Sequence, residues 1–378
     1  MKYPANCFIF HRGNGCIGIF DVNPVSVGGL NLTDLVISVD AMGGDFGPSV
    51  TIAALEHVRR QRPEISYLLF GKAEEIEAEL AARPELAALC TIEHCDVAIS
   101  MHDKPSIALR QGRKVSSMWC AIDAVKAGRA QSCISAGNTG ALMAMAKIIL
   151  RTLPGIERPA IAAVWPTVRG ESVVLDVGAT IGGSPAQYVQ FAVMGAAYAR
   201  TVFGMGKPSV GLLNIGVEDI KGTDGVCDAN DLLERSDLNY VGFVEGDGIG
   251  RGDADVVVTD GFTGNIALKT AEGTARQIAT YLRQALTSSL ISKLGYLLAR
   301  GAFASLAERM DPNSANGGMF LGLNGAVVKS HGGADAAGFA TAVEVAIEVA
   351  QADISAQIAE DIENMQALLD DAWAEMLD

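Results

Sequence analysis

Short runs that are apolar on both faces alternate with helical periods along most of this chain, and that alternation leaves few folds open to it. The runs fall at 35–40 (LVISVD), 66–70 (SYLLF), 132–135 (SCIS), 160–164 (AIAAV), 172–177 (SVVLDV), 209–215 (SVGLLNI), 254–259 (ADVVVT) and 325–329 (GAVVK). Helical patterns lie between them at 49–61, 74–82, 116–128, 140–151, 186–203 and 265–285. Strands apolar on both faces and separated by helices imply a mostly parallel sheet covered on both sides. From Asp335 the chain reads as one or two helices with an acidic outer face. A length of 378 residues with 49% hydrophobic and 19% charged residues permits a substantial core. No purely apolar run reaches 18 residues, so no transmembrane helix is expected. Residues 1–34 lack a signal-peptide pattern and a clear period. They are expected to be a poorly ordered extension, which leaves 35–378 as a single α/β catalytic domain.

Charge and cysteine usage exclude several classes of function. The net charge is −15, and 330–378 carries no Lys or Arg, so no extended basic surface for nucleic acid is visible. One segment, 276–309, is basic: Arg276, Arg283, Lys293, Arg300 and Arg309 stand against Glu308 alone, which suits an anionic partner. The seven cysteines are odd in number and include no C-x-x-C. That pattern points to a reducing cytoplasm and away from a zinc site or disulfide framework. A nucleophile at Cys133 or Cys227 is conceivable, but a small buried hydrophobe is the commoner fate. The dinucleotide-like GDGIGRG (246–252) is read as preceding a strand and opening no helix. The chain contains no G-x-x-x-x-G-K-[ST], H-E-x-x-H or G-x-S-x-G. No metal and no cofactor are expected.

Six apolar runs end in small polar clusters with glycine: VDAMGGD, ISAGNTG, LDVGAT, LNIG, VTDGFTGN and VKSHGGAD. Ligands of open α/β sheets bind outside the carboxyl ends of strands, so these ends are expected to wall one cleft. Asp40, Gly43, Gly44 and Asp45 form the first end. Ser135, Gly137, Asn138, Thr139 and Gly140 enter a helix, where free N–H groups favour an anion; an ordinary helix cap explains the spacing equally well. Asp260, Thr263, Gly264, Asn265 and Lys269 repeat that design, with Asn265 and Lys269 on one helical face. Asn214 ends another run, and Asn324, Lys329 and His331 belong to LNGAVVKSHGGAD.

In order, DAMGGD, SAGNTGALMA, RPAIAA, VLDVGA, VGLLNIG, ADVVVTDGFTGNIALKT and GLNGAVVKSHG resemble the phosphate acyltransferases of bacterial phospholipid synthesis, the PlsX family, over about 35–350. The resemblance implies a three-layer α/β/α fold like that of the isocitrate and isopropylmalate dehydrogenases and phosphotransacetylases. It also implies transfer of a fatty acyl group from acyl-ACP to inorganic phosphate, with acyl phosphate as product. A homodimer, a cytoplasmic location and loose membrane attachment are implied as well.

The residues suit that chemistry. Phosphate is already nucleophilic and needs chiefly a donor-rich pocket, with Lys269 or Lys329 offsetting its charge. Asn138, Asn214, Asn265 and His331 are candidates for the oxyanion, and His331 could instead protonate the leaving thiolate. Asp40, Asp45 and Asp260 would orient donors rather than meet phosphate. Leucines at 282, 286, 290, 294 and 298 give the basic segment an amphipathic stripe that suits ACP, an anionic membrane, a dimer partner or a core. Arg110, Arg113 and Lys114 offer a second ACP contact. The chain departs from the family at Thr180, Gly182 and Ser184 and in the loop 313–320, NSANGGMF. Rival readings are an acyl-CoA phosphotransacetylase, a nicotinamide-dependent dehydrogenase, for which no metal-binding Asp cluster is seen, and a membrane scaffold.

Overall fold

A computed structural model describes residues 35–218, 220–310 and 316–377, so the expected extension at 1–34 lies outside the described residues. The strands are β1 (Val36–Asp40), β2 (Ser66–Gly71), β3 (Cys90–His94), β4 (Ser132–Ser135), β5 (Ala160–Thr167), β6 (Gly170–Leu175), β7 (Ser209–Leu213), β8 (Asn239–Val244), β9 (Val256–Val258), β10 (Gly318–Leu321) and β11 (Ala326–Lys329). The helices are α1 (Pro48–Arg59), α2 (Ala73–Leu80), α3 (Pro84–Ala87), α4 (Pro105–Gly112), α5 (Ser117–Lys126), α6 (Thr139–Leu150), α7 (Pro185–Phe203), α8 (Asp224–Glu234), α9 (Gly246–Arg251), α10 (Gly261–Thr287), α11 (Leu290–Met310), α12 (Ala336–Gln351) and α13 (Ile354–Leu377).

The strands form one sheet in the order β3-β2-β1-β4-β11-β10-β5-β6-β9-β7-β8. It is parallel except where β10 pairs with β11 and β5, and where β5 pairs with β6. Helices cover both faces. Ile52, Leu55, Val343 and Ile347 of α1 and α12 pack on one face of β1 and β4. Met118, Ile122 and Met145 of α5 and α6 pack on the other with Val327. In the second half, Phe191 and Met194 of the buried α7 pack on Leu175 and Val256. The three-layer α/β/α fold is therefore as the apolar pattern requires.

Local chemistry fixes where helices begin. Ser116, Asn138, Asp260 and Asp335 accept backbone N–H bonds at the starts of α5, α6, α10 and α12. Ser184 and Gln187 form a reciprocal capping box at the start of α7. Ser184, one of the departures from the family pattern, thus has a structural task.

Direction in the sheet is the main feature that periodicity alone does not carry. One transverse row of paired residues joins Val39, Ile134, Val328, Met319, Ala162, Leu175, Val258 and Leu212. Strands β1, β4 and β11 approach that row from one side and end one residue past it. Strands β6 and β9 arrive from the opposite side, because the three antiparallel pairings β11–β10, β10–β5 and β5–β6 reverse direction three times between the halves. The strand ends therefore form two clusters, one on each side of that row. They are about 14 Å apart across three strand spacings.

The expectation that GDGIGRG opens no helix is corrected. The segment follows β8 and itself forms α9, helped by ion pairs from Arg251 to Asp247 and to Asp253. A helix of six residues does not restore a dinucleotide site, since the fingerprint needs a full helix behind its glycines.

Candidate active site

The first cluster is built where β1, β4 and β11 end. Ser135 Oγ donates to Asp40 Oδ2 at 2.7 Å and accepts from Gly137 N at 3.0 Å. Asp40 is buried, and burial raises its pKa against the opposing hydrogen bonds and the charge of Lys329. Among the described residues its Oδ1 completes no hydrogen bond. The glycines are needed because the three turns pack on one another. A Cβ on Gly43 would lie 2.8 Å from Gly137 N, and one on Gly44 would lie 2.9 Å from Gly332 O. Gly44 also has φ +87°. Asp45 N donates to Gly332 O at 2.9 Å, which ties the first turn to the third. The glycines of the second turn meet side chains instead: Met118 faces Gly137, and Pro105 faces Gly140.

Lys329 and His331 stand on the β11 side of this cluster. Lys329 Nζ donates to Ala136 O at 3.3 Å and to Ser330 O. Burial and the neighbouring Lys269 push its pKa down to about 8, while Asp40 and Asp45 oppose the shift. Burial, then Lys269, lowers the pKa of His331, with Glu272 pulling the other way. Asn316, within the 313–320 segment, is buried and holds this turn. Its Nδ2 donates to Ser330 Oγ at 2.9 Å and Gly338 O at 2.8 Å, and its Oδ1 accepts from His331 N at 3.0 Å.

The second cluster lies where β6, β7 and β9 end. Buried Asp176 accepts from Ile161, Gly178, Ala179 and Thr180 N and from Thr180 Oγ1, all between 2.7 and 3.1 Å. Thr180 Oγ1 in turn accepts from Gly261 N at 3.0 Å, fastening the start of α10 to this loop. Thr180, a departure from the family pattern, is thereby part of the joint. Asp260 caps α10, accepting from Phe262 and Thr263 N and from Thr263 Oγ1. Gly182 N also reaches Asp260, at 3.4 Å. Asn214 spends its side chain on its own loop, donating to Lys221 O and accepting from Ile215 N, both at 2.8 Å.

Helix α10 bridges the two clusters. It begins at Gly261 beside Asp176, passes exposed Asn265 over Gly178, and reaches the first cluster one to two turns later. There Glu272 Oε1 lies 3.6 Å from His331 Nε2. Lys269 Nζ meets both oxygens of Glu272 at 3.0 Å, and Arg276 meets one at 3.2 Å. Lys269, Arg276 and His331 therefore gather around a buried carboxylate, with Lys329 close enough to Lys269 and His331 for their charges to interact, an arrangement able to hold an anion.

The structure thus brings together Asp40, Gly43, Gly44, Asp45, Ser135, Gly137, Lys269, Lys329 and His331. Asn138 borders them, but its amide hydrogens are committed to Met101 O and Asp103 O, at 2.8 and 3.0 Å. Asn214, Asp260 and Thr263 stand in the second cluster, and Asn265 lies between. Asn324 is brought to neither. It sits at the β10–β11 turn, at the far end of β11 from Lys329, donating to Thr152 O at 2.8 Å. The expectation that it lines the substrate site is met by a turn contact instead. Sequence reasoning missed Glu272, Asn316 and Asp176. The i, i+3 and i, i+4 charges of KTAEGTAR were a usable signal for Glu272. The loop residue Asn316 left none.

A family model described as fatty acid synthesis protein matches residues 35–357. A phosphate acyltransferase of Parvibaculum lavamentivorans is 57% identical over 336 residues, covering 88% of this chain and 93% of that protein. One from Nitrobacter hamburgensis is 59% identical over 325 residues, covering 85% and 92%. Among solved structures, a phosphotransacetylase from Streptococcus pyogenes superimposes with a TM-score of 0.56 at 17% identity, covering 84% of this chain and 94% of that one. One from Staphylococcus aureus gives 0.54 at the same identity and coverage. These two establish a common fold.

Proposed function

The chain belongs to the fatty acid synthesis protein family, as an acyltransferase that moves an acyl group to phosphate, and from that premise we propose that its donor is a fatty acyl-ACP and its product an acyl phosphate for phospholipid synthesis. The observation that carries the reading is the meeting of Lys269, from the β9 half, with Lys329 and His331 at the end of β11. Near neutral pH phosphate is largely dianionic. It needs cations to gather it and a thioester held against it rather than a strong base. Lys269 and Lys329 gather the phosphate in this reading. A phosphate oxygen attacks the thioester carbonyl, the C–O bond forms and the C–S bond breaks.

Asn265 is the oxyanion donor in this mechanism, because its exposed amide lies one helical turn from Lys269 while Asn138 and Asn214 are committed to backbone carbonyls. His331 protonates the departing thiolate. Ser135, Gly137, Thr139 and Gly140 frame the phosphate side, with Asp40 and Asp45 orienting the donors. Asp260, Thr263 and Gly264 set the angle at which α10 delivers Asn265 and Lys269.

Two surfaces support the partner assignments. Arg110, Arg113 and Lys114 are exposed at the end of α4 and suit acidic ACP. Leu290, Ile291, Leu294, Leu297 and Leu298 are exposed on α11, which suits a homodimer in peripheral contact with a membrane. No helix among the described residues is long and apolar enough to cross one.

The direct test incubates purified protein with palmitoyl-ACP, with and without phosphate, and traps product with hydroxylamine. Phosphate-dependent hydroxamate with equimolar free ACP is expected. Product from acyl-CoA but not from acyl-ACP would replace the ACP donor by a CoA thioester.

A further inference from the structure

Beneath the exposed cations of the first cluster lies one acidic group with no role in the reaction described so far. Glu272 Oε1 and Oε2 both accept from Lys269 Nζ, Oε2 accepts from Arg276, and His331 Nε2 stands 3.6 Å from Oε1. The side chain of Glu272 is 8% exposed, whereas Lys269, Arg276 and His331 are 53%, 66% and 40% exposed. The anion is therefore underneath and the cations are on top. A surface helical ion pair would have both partners in water and would hold neither in place. Here one partner is fixed by burial in α10, so the two long side chains above it are tethered over the turn that carries Lys329 and His331.

We propose that Glu272 is a positioning residue of the acyl-transfer site, whose buried carboxylate holds the Lys269 and Arg276 head groups over the His331 turn so that they face an incoming phosphate. The inference rests on the reading of this cluster as the phosphate site. Without Glu272, both cations lose their common anchor, repel each other and Lys329, and sample open rotamers. Each phosphate bound must then order them anew. Glu272 also balances the charges on His331, which faces Lys269 and Arg276 of α10 and Lys329 at the end of β11. The carboxylate is the one group among these that favours the imidazolium.

The test compares wild type with Glu272→Gln and Glu272→Asp. In Glu272→Gln, KM for phosphate should rise about tenfold or more while kcat changes less. The imidazole titration of His331, followed by NMR, should move to lower pH. Glu272→Asp should recover part of both changes. A folded Glu272→Gln variant with wild-type phosphate KM and His331 midpoint overturns the proposal. Should that variant fail to fold, Arg276→Ala on the surface serves in its place: a raised phosphate KM supports the tether, and an unchanged one overturns it. If wild type transfers no acyl group to phosphate, the functional reading fails, and the NMR midpoint alone then decides whether Glu272 acts on His331.

Discussion

Lys329 is held where an ammonium ion is uncomfortable, and its neighbours say why. Burial and Lys269 lower its pKa to about 8 from an ordinary value of 10.5. The unfolded chain therefore binds more protons than the folded one between about pH 8 and 10.5. The stability linked to this group is fully present above about 10.5 and is lost as pH falls through about 8. At neutral pH the charged lysine costs on the order of 3 kcal/mol. Lys329→Met should therefore raise Tm at pH 7, flatten the rise in stability from pH 8 to 10.5, and sharply reduce acyl transfer. Lys269→Ala should lower kcat/KM for phosphate by about a hundredfold with little change in Tm, because its head group is half in water. Lys269 could be singled out from sequence because it follows a strand and a glycine turn, and Lys329 and His331 because they close a strand just ahead of Gly332 and Gly333. For Glu272 the sequence carried the i, i+3 and i, i+4 charge pattern but not the burial that sets this carboxylate apart from an ordinary solvated ion pair. Asn324 misled in the opposite direction. It shares a motif with Lys329, but β11 separates the two ends of that motif.

Helix α10 joins the two strand-end clusters, and its first turn decides its angle. A Cβ on Gly264 would stand 1.9 Å from Asp176 O, far inside contact distance. Gly264→Ala should cost about 3 kcal/mol or more and displace Asn265 and Lys269 together, read as lost activity and a lowered Tm. At α7, by contrast, Ser184→Ala removes one side of a capping box and should cost about 1 kcal/mol in denaturant melts, leaving kcat nearly unchanged. Eight strands were legible as apolar runs; β3, β8 and β10 were not. CTIEH and NYVGFV form the two edges of the sheet, where polar residues are tolerated and the apolar signal fades. GMFL is four residues long in a glycine-rich loop. That loss mattered, because β10 is one of the two strands that reverse the sheet.

The whole molecule has one half threaded into the other. The chain builds β1 to β4, leaves to make β5 through β9, and returns along α10 and α11 to lay β10 and β11 beside β4. Its surface carries the exposed apolar residues of α11, and here the homodimer proposal is testable: Ile291→Ser with Leu294→Ser should shift the protein toward monomer in analytical ultracentrifugation, with the Tm of the α/β body retained. The threading has a consequence for a chain still on the ribosome. The edge of β4, SCIS, is complete early, but the strand that covers it is among the last to emerge. At ordinary translation speed that edge stays bare for on the order of ten seconds, a template for neighbouring nascent chains. Synthesis of this protein should therefore lean on holdase chaperones. Chains released before Gly318 should accumulate as aggregate rather than as a working half.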